Sequence, residues 1–277
     1  MSLPPIFYHF FSSPLPYGPT LALQEFIHGV QLARRRVSGN HRDYLLLLEH
    51  RPVFTAGRRQ REEELRDERA RLQGIGADFE STQRGGQLTY HGPGQLVGYP
   101  LLDLGRTARG PAMPIRDYIC KLQRTIQEHL REEHGIIHAP SEHTGVFIDE
   151  GDGRGAKTKI ASIGVQVRHR LTTHGFALNV TAEPLAWLDT IVACGLADVK
   201  AGSIAGRSKK VAEPDVTVAA QIPGIVQTFG KLMGRDTVEL DLSDDAEVSE
   251  AIAKLEEKSR TLQLDNPAPR RPTPTPP

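Results

Sequence analysis

A run of five apolar residues, Tyr44-Leu45-Leu46-Leu47-Leu48, sets the tightest limit on what this chain can fold into. Successive side chains of a strand point to opposite faces, so an unbroken apolar run of this length reads as a strand buried on both sides. The sheet that holds it must be covered by further layers. Thr20 to Arg36 reads as one covering helix. Ile115, Ile119, Leu122, Ile126 and Leu130 form a stripe at i, i+4, i+7 and mark another, with Cys120 read as packing beside the stripe. Arg59 to Leu72, dense in Glu and Arg, reads as a solvated helix. Gly145 to Glu150 with Lys157 to Val167 reads as a hairpin, and His174 to Val180 as a further strand. Strands and helices alternate without a strict βαβ period. The expected fold is therefore mixed α/β (α+β), a mixed sheet with flanking helices rather than a doubly wound one.

Composition narrows the function. The 34 basic and 34 acidic side chains balance to a net charge of +0, which argues against the uniformly basic surface of a sequence-independent nucleic-acid binder. No apolar stretch approaches the length of a membrane span. Two cysteines, Cys120 and Cys194, are too few for a disulfide framework, and a reducing interior suits the chain best. The first 25 residues resemble neither a secretory signal nor a clear mitochondrial presequence. Three parts are expected: a main domain over residues 1–237, an appended strand and amphipathic helix over 238–264 with Val248, Ile252 and Leu255 at helical spacing, and a disordered Pro-rich tail over 265–277.

The chemistry concentrates in a few stretches. Gly85, Gly86, Gly92, Gly94 and Gly98 crowd Arg84 to Gly98, so the backbone there turns tightly or approaches something closely. Neither the dinucleotide nor the P-loop fingerprint is met. Arg84, Thr89, Tyr90 and His91 in the same stretch favour a ligand role over a plain glycine loop. His134, His138 and His143 lack zinc spacing, and no G-x-S-x-G marks a serine hydrolase. Cysteine chemistry remains. Cys194 follows an apolar segment, Leu185 to Val192, that reads as a short helix stopped by Gly195. A helix C-terminus disfavours a thiolate, so this thiol needs a cation. At the unperturbed pKa near 8.5 only about 3% is ionised at neutral pH. Lys159, at the mouth of the probable strand KIASIGVQV, is the candidate cation. On the residues alone, a packed thiol and a solvated strand-end lysine stay open as alternatives.

Five ordered segments resemble the lipoyl(octanoyl) transferase family, LipB-type. They are His50 to Gly57 (HRPVFTAG), Arg84 to Gln95 (RGGQLTYHGPGQ), Lys159 to Gly164 (KIASIG), His174 to Asn179 (HGFALN), and Ala193-Cys194-Gly195. The resemblance covers most of Phe7 to about Phe229. It implies a catalytic domain similar to biotin and lipoate protein ligases. It also implies transfer of an octanoyl group from octanoyl-acyl carrier protein to a lysine of lipoyl domains, those of 2-oxoacid dehydrogenase complexes and of the glycine cleavage H protein. By resemblance Cys194 carries the acyl thioester, and Lys159 lowers its pKa and shuttles protons. Arg84, Gly85, Gly86, Gln87, Leu88, Thr89, Tyr90 and His91, then Ser162, Ile163 and Gly164, then Gly175, Phe176 and Ala177 match the stretches that line the acyl and pantetheine groove.

The acyl group arrives on phosphopantetheine, so no ATP and no metal are expected. Backbone amides at Gly195 or in the Gly85-Gly86 turn are candidate oxyanion donors. Ala193 and the pair Gly202-Ser203 stand where many relatives have Pro and Thr-Ser, which loosens both motif ends. The additions around Glu150 to Lys157 and after Leu240 favour a mitochondrial matrix protein over a bacterial cytoplasmic one. Arg34 to Arg36, Arg58 and Arg59 are candidate contacts for acidic partners. A monomer is the default. The rival readings are an ATP-dependent lipoate or biotin protein ligase, and a non-catalytic lipoyl-domain binding module.

Overall fold

The apolar run lies in strand β2 (Asp43–Leu48), every residue of which is buried. Alternation divides it between two cores. Leu45 and Leu47 join a cluster on one face of the sheet, while Tyr44, Leu46 and Leu48 join a second cluster on the other. The computed structural model describes residues 3–107, 110–149, 157–192, 199–265 and 271–272. Among them the main sheet has nine strands.

These are β1 (Ile6–Phe10), β2, β6 (Gln95–Leu101), β7 (His138–Ala139), β8 (Val146–Asp149), β9 (Lys157–Arg168), β10 (Leu171–Asn179), β11 (Lys200–Ala201) and β12 (Thr237–Glu239). They run in the order β12-β1-β2-β6-β10-β9-β8-β7, with β11 paired to β9. The pairings of β1 with β12 and β2, and of β11 with β9, are parallel and the rest antiparallel, so the sheet is mixed. A small second sheet joins β3 (Val53–Ala56), β4 (Asp78–Ser81) and β5 (Thr89–His91).

Helices cover both faces. On one, α3 (Ile115–His134) and α5 (Val218–Met233) bring Tyr118, Leu122, Ile126, Ile225 and Phe229 into the first core. Each fully buried aliphatic side chain contributes about 2 kcal/mol. Thr217 caps α5, its hydroxyl accepting from the Ala220 amide at 3.3 Å, and Gly135 and Gly234 close α3 and α5 in left-handed conformation. On the other face lie α1 (Tyr17–Val37) and α6 (Ala246–Asp265). Val248, Ile252 and Leu255 of α6 pack with Leu23, Ile27 and Val30 of α1. The segment after residue 237 is thus woven into the fold, β12 as the sheet's edge strand and α6 as half of a covering layer. Most of the Pro-rich tail falls outside the described residues.

Two local expectations need correction. Ile115 is 50% exposed, because it sits in the first turn of α3 before the helix reaches the sheet. Cys120 is exposed too. It lies about 200° around the helix from the buried Tyr118 and Leu122, so it faces away from the packing. The charged stretch from Arg59 becomes a 3-10 turn at Glu62–Leu65 followed by α2 (Arg66–Gly74). Among the described residues no helix is long and apolar enough to cross a membrane.

Candidate active site

Lys159 is the third residue of β9 and only 8% exposed. It is held where β9 outruns its partner β10: the β9–β10 register ends at Ala161 and Leu178, and β11 pairs beyond that point, Ala201 opposite Lys159. The Gly202 amide donates to the Lys159 carbonyl at 2.9 Å, and the Asn179 side-chain amide donates to the Gly202 carbonyl at 2.8 Å. On the other edge Lys159 faces Phe147 of β8, whose ring centre is 5.6 Å from Nζ. Gly145 makes the room. A Cβ there would lie 2.8 Å from Lys159 Cε, and the backbone at φ +132° suits only glycine. Among the described residues the ammonium makes no ion pair and no hydrogen bond. A buried cation in that position can hold an anion beside it.

From Ser162 onward the β9–β10 ladder forms the floor of a narrow slot. Arg84, Gly85, Gly86, Thr89, His91, Tyr99, Ser162, Ile163, Gly164, His174, Gly175, Phe176 and Ala177 line it. The slot is narrow because glycines bring backbones together. Gly164 and Gly175 are register partners, a Cβ on Gly164 would meet the Gly85 carbonyl at 2.8 Å, and one on Gly175 would meet the Gly98 carbonyl at 2.1 Å. The Arg84 loop is tied over β9 by the Gly85 amide, which donates to the Val165 carbonyl at 3.0 Å. The buried guanidinium of Arg84 pins that loop from within, donating to the Gly85 and Gln87 carbonyls and to the Thr55 hydroxyl.

One end of the slot is walled by buried rings, all uncharged at neutral pH. Burial lowers His50 to about 4 and His174 to about 3, the latter also through the nearby Arg84 charge. Burial holds His91 well below the usual imidazole range. Hydrogen bonds assign the tautomers. His50 Nδ1 donates to the Leu15 carbonyl at 3.0 Å, so Nε2 accepts from the Tyr99 hydroxyl at 2.7 Å. Gln95 donates its amide to the Tyr90 carbonyl and to Asn179 Oδ1, which leaves its carbonyl to accept from His91 Nδ1 at 2.7 Å and makes His91 Nε2 an acceptor.

Several residues read from the sequence fall elsewhere. Thr89 and His91 face the slot, and alternation along β5 turns Tyr90 the other way, with Leu88, into the core of the small sheet, where Tyr90 stacks on Trp187 at 5.2 Å. Gln87 is not in the lining either. The Gly85 amide is already committed to Val165, which removes it as an oxyanion donor. Arg34 is tied to Asp245 and Glu247 and Arg35 to Asp103, so these two are not available as a docking patch, whereas Arg58 and Arg59 are exposed. The helix before Cys194 is shorter than expected: α4 (Glu183–Leu188) ends at Leu188, and Val192 is exposed. Cys194 and Gly195 themselves lie outside the described residues. Tyr99 and His174 line the slot without having been singled out for it in the sequence. For His174 the left-handed backbone at φ +59° is the structural signal.

The mixed sheet covered on both faces is a fold shared with lipoate protein ligases. The bi-partite lipoate protein ligase of Thermoplasma acidophilum superposes with a TM-score of 0.60 at 15% identity, over 98% of this chain and 99% of that one. A lipoate-protein ligase A bound with ATP gives 0.57 at 15%, over 97% and 100%. The sequence is more specific: residues 17–229 match the model of the lipoyl protein ligase A/B catalytic domain, and the chain belongs to that family. Among its relatives is the zebrafish (Danio rerio) mitochondrial octanoyl-[acyl-carrier-protein]:protein N-octanoyltransferase LIPT2, 37% identical over 69% of this chain and 80% of its own. The octanoyltransferase of Acidobacterium capsulatum is 36% identical over 83% and 91%.

Proposed function

We propose that this protein is an acyltransferase that moves an octanoyl group from octanoyl-acyl carrier protein to a lysine of lipoyl domains, an early step of lipoate assembly. One observation carries the reading: a buried ammonium, Lys159, stands at the start of a ladder that continues into a glycine-lined slot, in a chain whose relatives are named octanoyltransferases. Six residues past Cys194, Lys200–Ala201 pair with Thr158–Lys159.

In this mechanism the Lys159 ammonium stabilises the Cys194 thiolate, which attacks the carbonyl carbon of the donor thioester. The C–S bond to phosphopantetheine breaks, and the departing thiolate takes a proton from Lys159. The lipoyl-domain lysine, as a free amine, then attacks the Cys194 thioester, the new amide forms, and the amine's surplus proton passes to Lys159 as the Cys194 sulfur leaves. The donor arrives already activated, so the reaction needs neither ATP nor a metal. The slot receives the alkyl chain in either half-reaction. A mitochondrial and a bacterial relative support either setting for such an enzyme.

Intact-protein mass spectrometry after incubation with octanoyl-acyl carrier protein tests this. The expected product is an octanoyl adduct released by hydroxylamine, absent in Cys194→Ser and slow to form in Lys159→Ala. Transfer without any adduct would replace the thioester route by direct transfer. Lipoate-dependent exchange between pyrophosphate and ATP would make the protein a ligase instead.

A further inference from the structure

The slot has a far end, and a strained residue stands there. Along the β9–β10 ladder, leading away from Lys159, the lining pairs run Ser162 with Ala177, Ile163 with Phe176 and Gly164 with Gly175, and the next pair is Val165 with His174. His174 is the lining residue of β10 most distant from Lys159. From the first pair to the last is about 10 Å at the rise of an antiparallel strand. An extended eight-carbon acyl chain measures about 9 Å from carbonyl carbon to methyl.

We propose that His174 is the chain-length gauge of this enzyme, a ring that blocks the far end of the slot and sets the longest acyl group it accepts. The inference rests on the acyl-transfer reading above.

His174 is 2% exposed, and its φ of +59° within a strand is unfavourable for a residue with a side chain. The surroundings enforce it. Its amide donates to Gln24 Oε1 at 2.7 Å, its Nδ1 lies 3.4 Å from the Tyr17 hydroxyl, and its ring stands edge-on to Tyr99 with centres 6.2 Å apart. A regular strand would present a different face at this position. Here His174 and its neighbour Gly175 both contribute to the lining. Two neighbours of His174 in the lining are also held in place. Tyr99 is fixed by His50, and the Arg84 loop is hydrogen-bonded to Val165, the register partner of His174. An alkyl chain longer than the ladder has no route past this ring, whereas a shorter one leaves space and only loses contact area.

The test is competition among hexanoyl-, octanoyl-, decanoyl- and dodecanoyl-acyl carrier proteins, read as kcat/KM for transfer to one lipoyl domain, in the wild type and in His174→Gly. Glycine accepts the left-handed backbone and keeps the amide bond to Gln24, so this variant removes the ring alone. The wild type is expected to use dodecanoyl at least tenfold less well than octanoyl. In His174→Gly the dodecanoyl-to-octanoyl ratio is expected to rise tenfold or more. A wild type that uses dodecanoyl as well as octanoyl overturns the gauge without recourse to any variant. So does a folded His174→Gly that transfers octanoyl with an unchanged ratio. A wild type that transfers no acyl group of any length overturns the transfer reading, and the gauge with it.

Discussion

At the scale of single residues, one ammonium stands out. Lys159 is buried beside Phe147 in a pocket that exists because residue 145 has no side chain. Its replacement by methionine keeps the stem's volume and removes the charge. In Lys159→Met, kcat/KM for octanoyl transfer is expected to fall on the order of 10²- to 10⁴-fold, the usual range for a lost proton-transfer group. A thiolate partner makes a second, sharper expectation. Alkylation of Cys194 by iodoacetamide, followed in a Cys120→Ser background because Cys120 is exposed, should show its inflection shifted up toward about 8.5 when Lys159 is replaced. An inflection that stays in place would dissociate Lys159 from the thiol. Lys159 could be singled out in the sequence because it opens an alternating strand pattern, where a cation has an uncommon setting. His174 and Tyr99 could not be placed in the slot. One enters it through a left-handed backbone that no propensity announces, and the other because β6 lies beside β10, strands far apart in the chain.

At the scale of elements, the slot is a consequence of three strands meeting without side chains between them. Gly175 on β10 pairs with Gly164 on β9, Gly98 on β6 pairs with the next residue of β10, Phe176, and Phe176 occupies the space Gly98 leaves, so that a Cβ on Gly98 would sit 2.2 Å from its ring. Gly175→Ala forces a Cβ against the Gly98 carbonyl and Pro100, with backbone on one side and a rigid ring on the other. It should lower stability by about 1–3 kcal/mol, seen as a reduced urea midpoint with unchanged m. Octanoyl transfer should fall with it. The outer layer makes a separate prediction. Ile252 of α6 is fully buried against the α1 layer, so Ile252→Ala should cost about 2–5 kcal/mol in the same measurement. A near-neutral result would mean that α6 is not part of the cooperative unit. Long elements with a full apolar stripe, such as α1, α3 and β2, were legible in the sequence because one period repeats over many residues. The small sheet was not fully legible. Its strands are three or four residues long, too short for alternation to stand out, and tertiary partners decide them.

At the scale of the whole molecule, the buried histidines tie stability to pH. His50 and His129 are held at about 4 and His174 at about 3, in each case chiefly because burial penalises the charged ring. In the unfolded chain each titrates near 6.5. Above that value neither state binds the proton and the histidines contribute no pH dependence. As pH falls from 6.5 toward 4, the unfolded chain takes up protons that the folded protein refuses, and stability drops at about 1.4 kcal/mol per pH unit for each histidine. Over the window that is about 3 kcal/mol apiece, against a total of about 5–15 kcal/mol for an ordinary domain. The carboxylates act lower down. Burial alone would raise Asp245 and Asp103, but hydrogen bonds from Arg34 and Tyr44 to the first, and from His41, Gly105 and Arg35 to the second, bring both to about 2. Their contribution is present above about 3.8 and is lost only as pH falls toward 2. Acid unfolding should therefore set in between pH 6.5 and 4, ahead of carboxylate protonation. His129 separates this effect from the slot, since it lies on α3 with Nε2 donating to Gln221 Oε1 at 2.9 Å. In His129→Gln, urea midpoints measured between pH 6.5 and 4.5 should depend on pH less steeply, by about one proton's worth of slope. An unchanged slope would show that His129 is protonated in the folded protein and that the acid sensitivity originates elsewhere.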